Sequence, residues 1–335
     1  MVAFISLFEL DSQNFGSLQL LLAKIERDLT SAMSLIWALF VALICVNLQV
    51  QSNQIIYPID TIAVGVGSIY SVTVDPRSNE QYISGWNIFG IKSVTTSGIV
   101  SMFAGTGSYG RTDGTGNAAS FSSQVYQTSY CAYDGNFYLV DSGNFILRQM
   151  TNKAIVKTIA GGSVQGSANG VGTNALFRFP IGVACNRDTG DIMVVDHYDS
   201  VLRLVSRPVW TVTLFAGRLS SSGYQDGPGT YAQFYYPYHI AFNSVNKNFY
   251  VADTSNQIVR QVTLLGIVST FAGRPLVSGF NDGMGTFALF NYPFGVDCDE
   301  ISGNVFVADT HNNRVREIDL TTRMVSARTS SGQVI

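Results

Sequence analysis

The chain has 335 residues, a net charge of -3 and only 13% charged residues, together with 46% hydrophobic and 12% aromatic residues. Disordered chains are rich in charge and poor in aromatic residues, so this composition excludes a disordered or polyelectrolyte chain and indicates a folded core. The sequence also contains no run of basic residues, which argues against binding to the phosphates of a nucleic acid.

The first feature in chain order is an unbroken apolar run from Leu35 to Val46. This run is too short for the roughly 20 residues that cross a bilayer, but it matches the core of a signal peptide. A small-x-small cleavage site, Val50–Ser52, precedes Asn53. We therefore predict a cleaved signal peptide at residues 33–52, with an uncleaved signal anchor and a packed intracellular helix as the alternatives.

The cysteines give little guidance. Cys45 lies in the apolar run, which leaves Cys131, Cys185 and Cys298, an odd number for a mature secreted chain. A chain of this length buries enough apolar surface without a covalent link. We therefore predict buried thiols in strands rather than a disulfide.

Three signatures recur along the chain after residue 60. Ala-Gly pairs, spaced 56 residues apart, end at Gly105, Gly161, Gly217 and Gly273. Segments of the form Asp/Asn-Gly-x-Gly begin at Asp113, Asn169, Asp226 and Asp282. Carboxylates that end β-rich runs stand at Asp141, Asp196, Asp253 and Asp309, each followed seven residues later by an arginine, Arg148, Arg203, Arg260 or Arg316. Such regularity is the mark of a repeat architecture.

Each repeat predicts four short strands, because runs rich in Val, Ile, Phe and Tyr alternate with Gly, Asn and Asp. Radial repetition of four-stranded sheets is the β-propeller architecture, so we predict an all-β propeller. Five units are visible, and the first is degenerate, with Gly85 and Lys92 in the places of the Asp and the Arg. The ring is therefore five-bladed, or six-bladed with one blade missing or degenerate. The segment from Tyr57 to Val64 resembles an outermost strand that could complete the last blade.

The fifth unit carries the clearest family resemblance. It has the pattern Asp282-Gly-x-Gly-x-x-Ala-x-Phe-x-x-Pro-x-Gly-Val, followed by Val307-Ala-Asp-Thr-x-Asn-x-Arg-Val-Arg316. This pattern resembles the NHL repeat family of β-propellers, and the resemblance covers roughly residues 60 to 325. It implies an NHL-like propeller over residues 53–335, and it leaves residues 1–32 as an N-terminal extension that need not be translated if Met33 is the start.

Strand parity places the Asp-Gly loops and the Asp-Thr-x-Asn turns on one face of the propeller, called the top face here. Loops on a rigid scaffold usually carry function, so this is the candidate binding face. The repeated polar residues are expected to be structural, because every blade has them. We predict that Asp253 with Arg260, and Asp309 with Arg316, cap turns and form ion pairs at blade edges.

Residues that depart from the repeat are better site candidates. His239 stands at the start of an innermost strand, near the channel mouth, and the other two histidines, His197 and His311, also belong to the top face. Tyrosine offers rigid contact area with a polar group. We predict an aromatic ligand platform around His239 formed by Tyr198, Tyr235, Tyr236, Tyr238, Tyr292 and Phe294. Phe234 and Phe290 hold the repeat's common aromatic position and are expected to be core residues.

No nucleophile elbow, phosphate-binding loop or metalloprotease motif appears in the sequence. We therefore predict a non-catalytic binding propeller without a cofactor, secreted or displayed at a surface, whose top-face loops recognise a protein, peptide or glycan. Membrane contact is expected only through the N-terminal apolar segment, if it is not cleaved. One alternative is a metal-dependent propeller lyase or hydrolase, with His239, His197 and His311 as weak candidate zinc ligands. Another is a structural fragment of a larger receptor.

Overall fold

The computed structural model describes residues 68–328, which consist of β-strands, short 3-10 turns and loops. The strands form five antiparallel sheets arranged as a five-bladed β-propeller. This confirms the predicted fold class. The N-terminal extension, the predicted signal peptide and the Tyr57 to Val64 segment lie outside the described residues.

Strands are numbered in chain order. Within each blade the four longer strands follow one another from the central channel to the rim. Blade 1 contains β1 (Ser68–Val74), β2 (Gln81–Trp86), β3 (Ile91–Val94) and β4 (Val100–Ala104). Blade 2 contains β5 (Gly114–Thr115), β6 (Val125–Cys131), β7 (Asn136–Asp141), β8 (Ile146–Met150) and β9 (Ile155–Ala160). Blade 3 contains β10 (Gly170–Val171), β11 (Pro180–Cys185), β12 (Ile192–Asp196), β13 (Val201–Ser206) and β14 (Thr211–Ala216).

The last two blades repeat the same order. Blade 4 contains β15 (Gly227–Pro228), β16 (Ile240–Asn243), β17 (Asn248–Asp253), β18 (Ile258–Val262) and β19 (Ile267–Ala272). Blade 5 contains β20 (Gly283–Met284), β21 (Pro293–Cys298), β22 (Val305–Asp309), β23 (Arg314–Ile318) and β24 (Met324–Arg328). In blades 2 to 5 the two-residue strand of the Asp-Gly loop pairs with the outermost strand and covers that edge. Blade 5 obtains its outermost strand from β24, so a strand from the N-terminal segment is not needed to complete that blade.

The inner strands of blades 2 to 4 read as continuous apolar runs because each of these blades packs between two neighbours and buries both of its faces. In β17, for example, every residue after Asn248 is buried, whereas β19 at the rim mixes exposed and buried positions. Apolar clusters join blade 1 to 2, 2 to 3, 3 to 4 and 4 to 5, while a fifth cluster lies within blade 1. Phe234 and Phe290 are fully buried in two of these clusters, as predicted.

The structure corrects the prediction for two of the cysteines. Cys131 at the end of β6 and Cys185 at the end of β11 form a disulfide between blades 2 and 3, with a Cα–Cα separation of 5.4 Å. They come together because they occupy neighbouring positions on adjacent innermost strands. Cys298 is a buried free thiol, as expected.

We expect peptide mapping of the protein, alkylated before reduction, to recover Cys131 and Cys185 in one cross-linked species and Cys298 as an alkylated thiol. Proteolysis and mass spectrometry with and without a reducing agent check this result. Recovery of alkylated Cys131 and Cys185 from the unreduced protein would contradict the assigned bond.

Candidate ligand-binding site

Aromatic rings from all five blades meet on the top face, where the innermost strands begin around the central channel. The repeat explains this convergence, because each innermost strand carries an aromatic residue at or just before its first residues. We call this set of rings the aromatic mouth. Its members are Tyr70, Tyr126, Phe179, His197, Tyr198, Tyr235, Tyr236, Tyr238, Tyr292, Phe294 and His311.

Tyr126 in blade 2 is at the centre of the aromatic mouth. Its ring stacks on Tyr70 of blade 1, with centroids 4.6 Å apart and ring planes within 5°. Its edge contacts Phe179 of blade 3 at 5.9 Å and Tyr238 of blade 4 at 5.8 Å. Tyr238 in turn meets Phe294 of blade 5 in an edge-to-face contact at 4.7 Å. These separations are favourable aromatic geometries, so the rings form one connected surface across the five blades.

Outside this centre, the rings are more exposed. Tyr198 stacks on Phe179 at 4.5 Å and remains 49% exposed. Tyr236 lies 5.0 Å from the His197 ring and is 41% exposed. Tyr292 lies 4.5 Å from the His311 ring in blade 5. The mouth therefore offers aromatic surface to a ligand while its centre stays packed.

Backbone conformation fixes two of the exposed tyrosines. Tyr236 and Tyr292 have positive φ values of 46° and 49°, a left-handed conformation that bulky residues rarely adopt. Each is held by a side chain from the preceding blade, because Tyr236 N donates to Ser200 Oγ at 3.2 Å and Tyr292 N donates to Gln257 Oε1 at 2.6 Å. These two hydrogen bonds fix the backbone, and with it the direction of both rings.

The buried centre of the aromatic mouth carries no charge at physiological pH. Burial raises the pKa of Tyr126 and of Tyr238, so both phenols stay protonated. Burial lowers the pKa of His197, whose Nδ1–H donates to the Pro237 carbonyl oxygen at 2.9 Å. A surface of neutral rings with a few hydroxyl and imidazole groups suits an uncharged ligand that stacks and forms hydrogen bonds.

The repeated carboxylates hold the loops that form the mouth. Asp253 Oδ1 accepts a hydrogen bond from Tyr235 N at 2.8 Å, and Asp309 Oδ1 accepts one from Asn291 N at 2.7 Å. The carboxylates therefore hold the loop before the innermost strand and, contrary to the sequence prediction, they do not cap the 3-10 turns that they begin. The prediction of ion pairing at the blade edge is wrong in its location, because the Asp253 to Arg260 pair, at 2.8 Å, has no exposed side-chain surface. Both residues are buried, and Arg260 also contacts the Asp-Gly segment of its own repeat through the Gln233 and Gln225 carbonyl oxygens.

The structure does not place His239 within the aromatic mouth. Its ring lies below, in the central channel, and its Nδ1 is 3.1 Å from the Val296 carbonyl oxygen. The centre of the platform is Tyr126, which sequence reasoning missed together with Tyr70 and Phe179. Their shared position at the start of innermost strands was the signal that could have identified them. His197 and His311 contact mouth tyrosines, and no group of three metal-binding side chains forms within residues 68–328.

No protein-family model matches the chain. The NHL repeat-containing protein 2 of Gallus gallus is 30% identical over 142 residues, which are 40% of this chain and 20% of that protein. The protein of the same name from Bos taurus is 24% identical over 296 residues, 78% of this chain and 40% of that protein. The chain is an NHL-repeat β-propeller.

Solved structures agree with this NHL-repeat propeller at the level of fold. An auxiliary nutrient binding protein from Bacteroides thetaiotaomicron superposes with a TM-score of 0.60 and 17% identity, over 77% of this chain and 60% of that one. The NHL-repeat propeller spans only a fifth to two fifths of the curated relatives named above. Within residues 68–328, none of the helices has the length and apolar character needed to cross a membrane.

Proposed function

We propose that this propeller is a non-catalytic binding protein, secreted or displayed at a surface, that recognises a protein, peptide or glycan through the aromatic mouth. The observation that carries the proposal is the single connected aromatic surface to which all five blades contribute. Exposed aromatic surface of this extent is typical of binding sites, because it buries a large area at low cost in side-chain entropy.

Two further observations support the proposal. The disulfide between Cys131 and Cys185 is of a kind that persists in oxidising compartments, which favours residence outside the cytosol. The Bacteroides protein with the same fold is described as an auxiliary nutrient binding protein, a description that agrees with a binding role. The uncharged centre of the mouth favours an uncharged glycan or a peptide segment without charged side chains.

The experiment compares the full chain with two double variants on glycan arrays and on arrays of secreted-protein peptides. Tyr198→Ala with Tyr236→Ala removes two exposed rings of the mouth and is expected to weaken binding about tenfold or more, since each aromatic contact contributes about 0.5–1.5 kcal/mol. Tyr231→Ala with Phe287→Ala is the matched control, because these residues are 73% and 74% exposed. Their turns lie at the rim, not on the predicted top face, since Gly229 N and Gly285 N donate to the carbonyl oxygens of Gly266 and Arg323 just before the outermost strands.

The control variant is expected to bind as the unmodified chain does. Melting temperatures of the three proteins check that both variants are folded. Equal binding by all three proteins, or no binding of the unmodified chain to any glycan or peptide, would count against the proposal. The class of array that responds identifies the class of ligand.

A further inference from the structure

A second space lies in the channel below the aromatic mouth. The innermost strands of the five blades surround a cavity of about 110 Å³. Gln127 of β6 closes its upper end, because its Nε2 donates to the Ile240 carbonyl oxygen at 2.8 Å and its Oε1 accepts from Val183 N at 3.0 Å. An ion pair between Arg187 of blade 3 and Glu300 of blade 5 crosses the lower end. The cavity is thus separate from the mouth.

His239 gives this cavity a hydrogen-bond acceptor. A carbonyl oxygen only accepts, so the 3.1 Å contact with the Val296 carbonyl oxygen places the proton on Nδ1 of His239. The competing arrangement, with Val296 N donating to Nδ1, has a longer separation of 3.5 Å. Burial lowers the pKa of His239 to about 4, so the ring is neutral and Nε2 carries a lone pair. That Nε2 is buried and has no hydrogen-bond partner within residues 68–328.

Asp297 adds a negative charge to the wall of the same cavity. It follows Val296, the residue that His239 contacts, and its Oδ1 accepts a hydrogen bond from Cys298 N at 2.9 Å. Burial raises the pKa of Asp297 to about 6, so the carboxyl group is ionised at neutral pH. The guanidinium of Arg187 is paired with Glu300, and Asp297 itself forms no salt bridge in the described part of the chain. The charge of Arg187 acts on Asp297 without an ion pair between them, so the cavity contains a carboxylate without a direct cationic partner.

We propose that the lower channel binds a small organic cation with N–H donors, a primary ammonium, held between His239 Nε2 and the Asp297 carboxylate. A lone pair and a carboxylate both require donors, and a positive donor satisfies the two together. An engineered cavity of about 150 Å³ accepts benzene, so this one accommodates about four or five non-hydrogen atoms. Val72, Ala184 and Ala241 in the wall offer apolar contact to a short alkyl chain. This inference does not depend on the proposed function of the aromatic mouth.

Melting temperature of the full chain at pH 7.5 tests the proposal, with propylammonium chloride as the probe. Tetramethylammonium chloride is a cation without N–H groups, and 1-propanol is a neutral donor of similar size. We expect propylammonium to raise the melting temperature by a few degrees in a saturable way, because a ligand that binds only the folded state stabilises it. We expect neither control compound to do so at the same concentration.

Two cavity variants and one control complete the experiment. Asp297→Asn removes the charge, and His239→Asn keeps an amide N–H for the Val296 carbonyl while removing the Nε2 acceptor. Asp188→Asn is the matched control, since Asp188 is exposed, pairs with Lys247 and lies outside the cavity. The control is expected to respond to propylammonium as the unmodified chain does, and both cavity variants are expected to lose most of the response.

An equal response of the unmodified chain to all three compounds would overturn the proposal. So would a full propylammonium response in both cavity variants. If His239→Asn does not fold, the proposed site is tested by Asp297→Asn and by the ¹⁵N chemical shift of His239 Nε2 in the unmodified chain. That shift is expected to move on addition of propylammonium, and an unchanged shift at saturation would count against the site.

Discussion

Replacing Arg260 by methionine is expected to lower the free energy of unfolding by about 3–5 kcal/mol, because the change leaves a buried carboxylate without its cation. In the folded blade, Arg260 Nη1 lies 2.8 Å from Asp253 Oδ2, and both side chains are completely buried. The same guanidinium donates to the carbonyl oxygens of Gln233 and Gln225, each at 2.8 Å. The substitution removes these donors and the positive charge, while Asp253 keeps only neutral donors, Tyr235 N and Asn256 Nδ2, so its buried charge is no longer compensated.

Arg274→Met is the matched control for this prediction. Arg274 is exposed in the loop after β19, so the same chemical change is expected to alter the free energy of unfolding by no more than about 0.5 kcal/mol. Urea denaturation of the three proteins, with identical buffers and protein concentrations, measures the difference. A loss in Arg260→Met no larger than that in Arg274→Met would show that the buried pair does not stabilise the blade.

A double variant separates the pair from its surroundings. Asp253→Asn with Arg260→Met removes both charges while keeping an oxygen that accepts from Tyr235 N. We expect this protein to be more stable than Arg260→Met alone, because the uncompensated buried charge is gone. The Asp253→Asn variant is measured separately. If the double variant is less stable than Arg260→Met by the full loss that Asp253→Asn causes on its own, the two side chains are not coupled.

Gly161→Ala is expected to lower the free energy of unfolding by about 3 kcal/mol or more. Gly161 follows β9 with φ at +97°, a conformation that L side chains rarely adopt. An added Cβ would lie 2.4 Å from the Phe145 carbonyl oxygen and 2.8 Å from Ile146 Cα. Both are backbone atoms at the start of β8. The strained φ costs about 1–3 kcal/mol. The clash adds to this cost, because the backbone of a paired strand cannot easily move away.

Gly107→Ala isolates the steric part of that effect. Gly107 also has a positive φ, +75°, but an added Cβ there would meet nothing within 4 Å. We expect this variant to be destabilised by about 1–2 kcal/mol, the cost of the left-handed backbone alone. Thermal or urea denaturation of both variants gives the comparison. Similar losses in the two proteins would mean that close approach of the backbone is not the reason for the repeated Ala-Gly pair.

The repeated features of the fold were predictable from the sequence because each of them depends on contacts within one blade or between one blade and the next. Position 161 requires glycine because a side chain there would clash with the backbone of Phe145 and Ile146 in the same blade. Phe290 fills the space that Phe234 fills one repeat earlier. Asp253 holds its own blade's loop through Tyr235 N. Such contacts recur with the period of the repeat, so the period alone revealed the propeller and its structural residues.

The candidate site was only partly predictable. Tyr236, Tyr238 and Phe294 stood out because aromatic residues crowd units four and five beyond what a core requires, and the structure places them in the aromatic mouth. Tyr126 and Tyr70 did not stand out, although their rings stack at the centre of the mouth. Whether two rings meet across the channel depends on blade number, strand tilt and side-chain direction, and the sequence of a single repeat specifies none of these.

By itself, the sequence determined an all-β propeller with four-stranded units, a core of repeated aromatic residues and a top face rich in tyrosine. Only the tertiary structure decided which residues from different blades meet. The disulfide between Cys131 and Cys185, and the bridge from Gln127 to Ile240, join residues that lie far apart in the chain. Closing the blades around one axis brings these groups together, and it also separates His239 in the lower channel from the aromatic mouth above it.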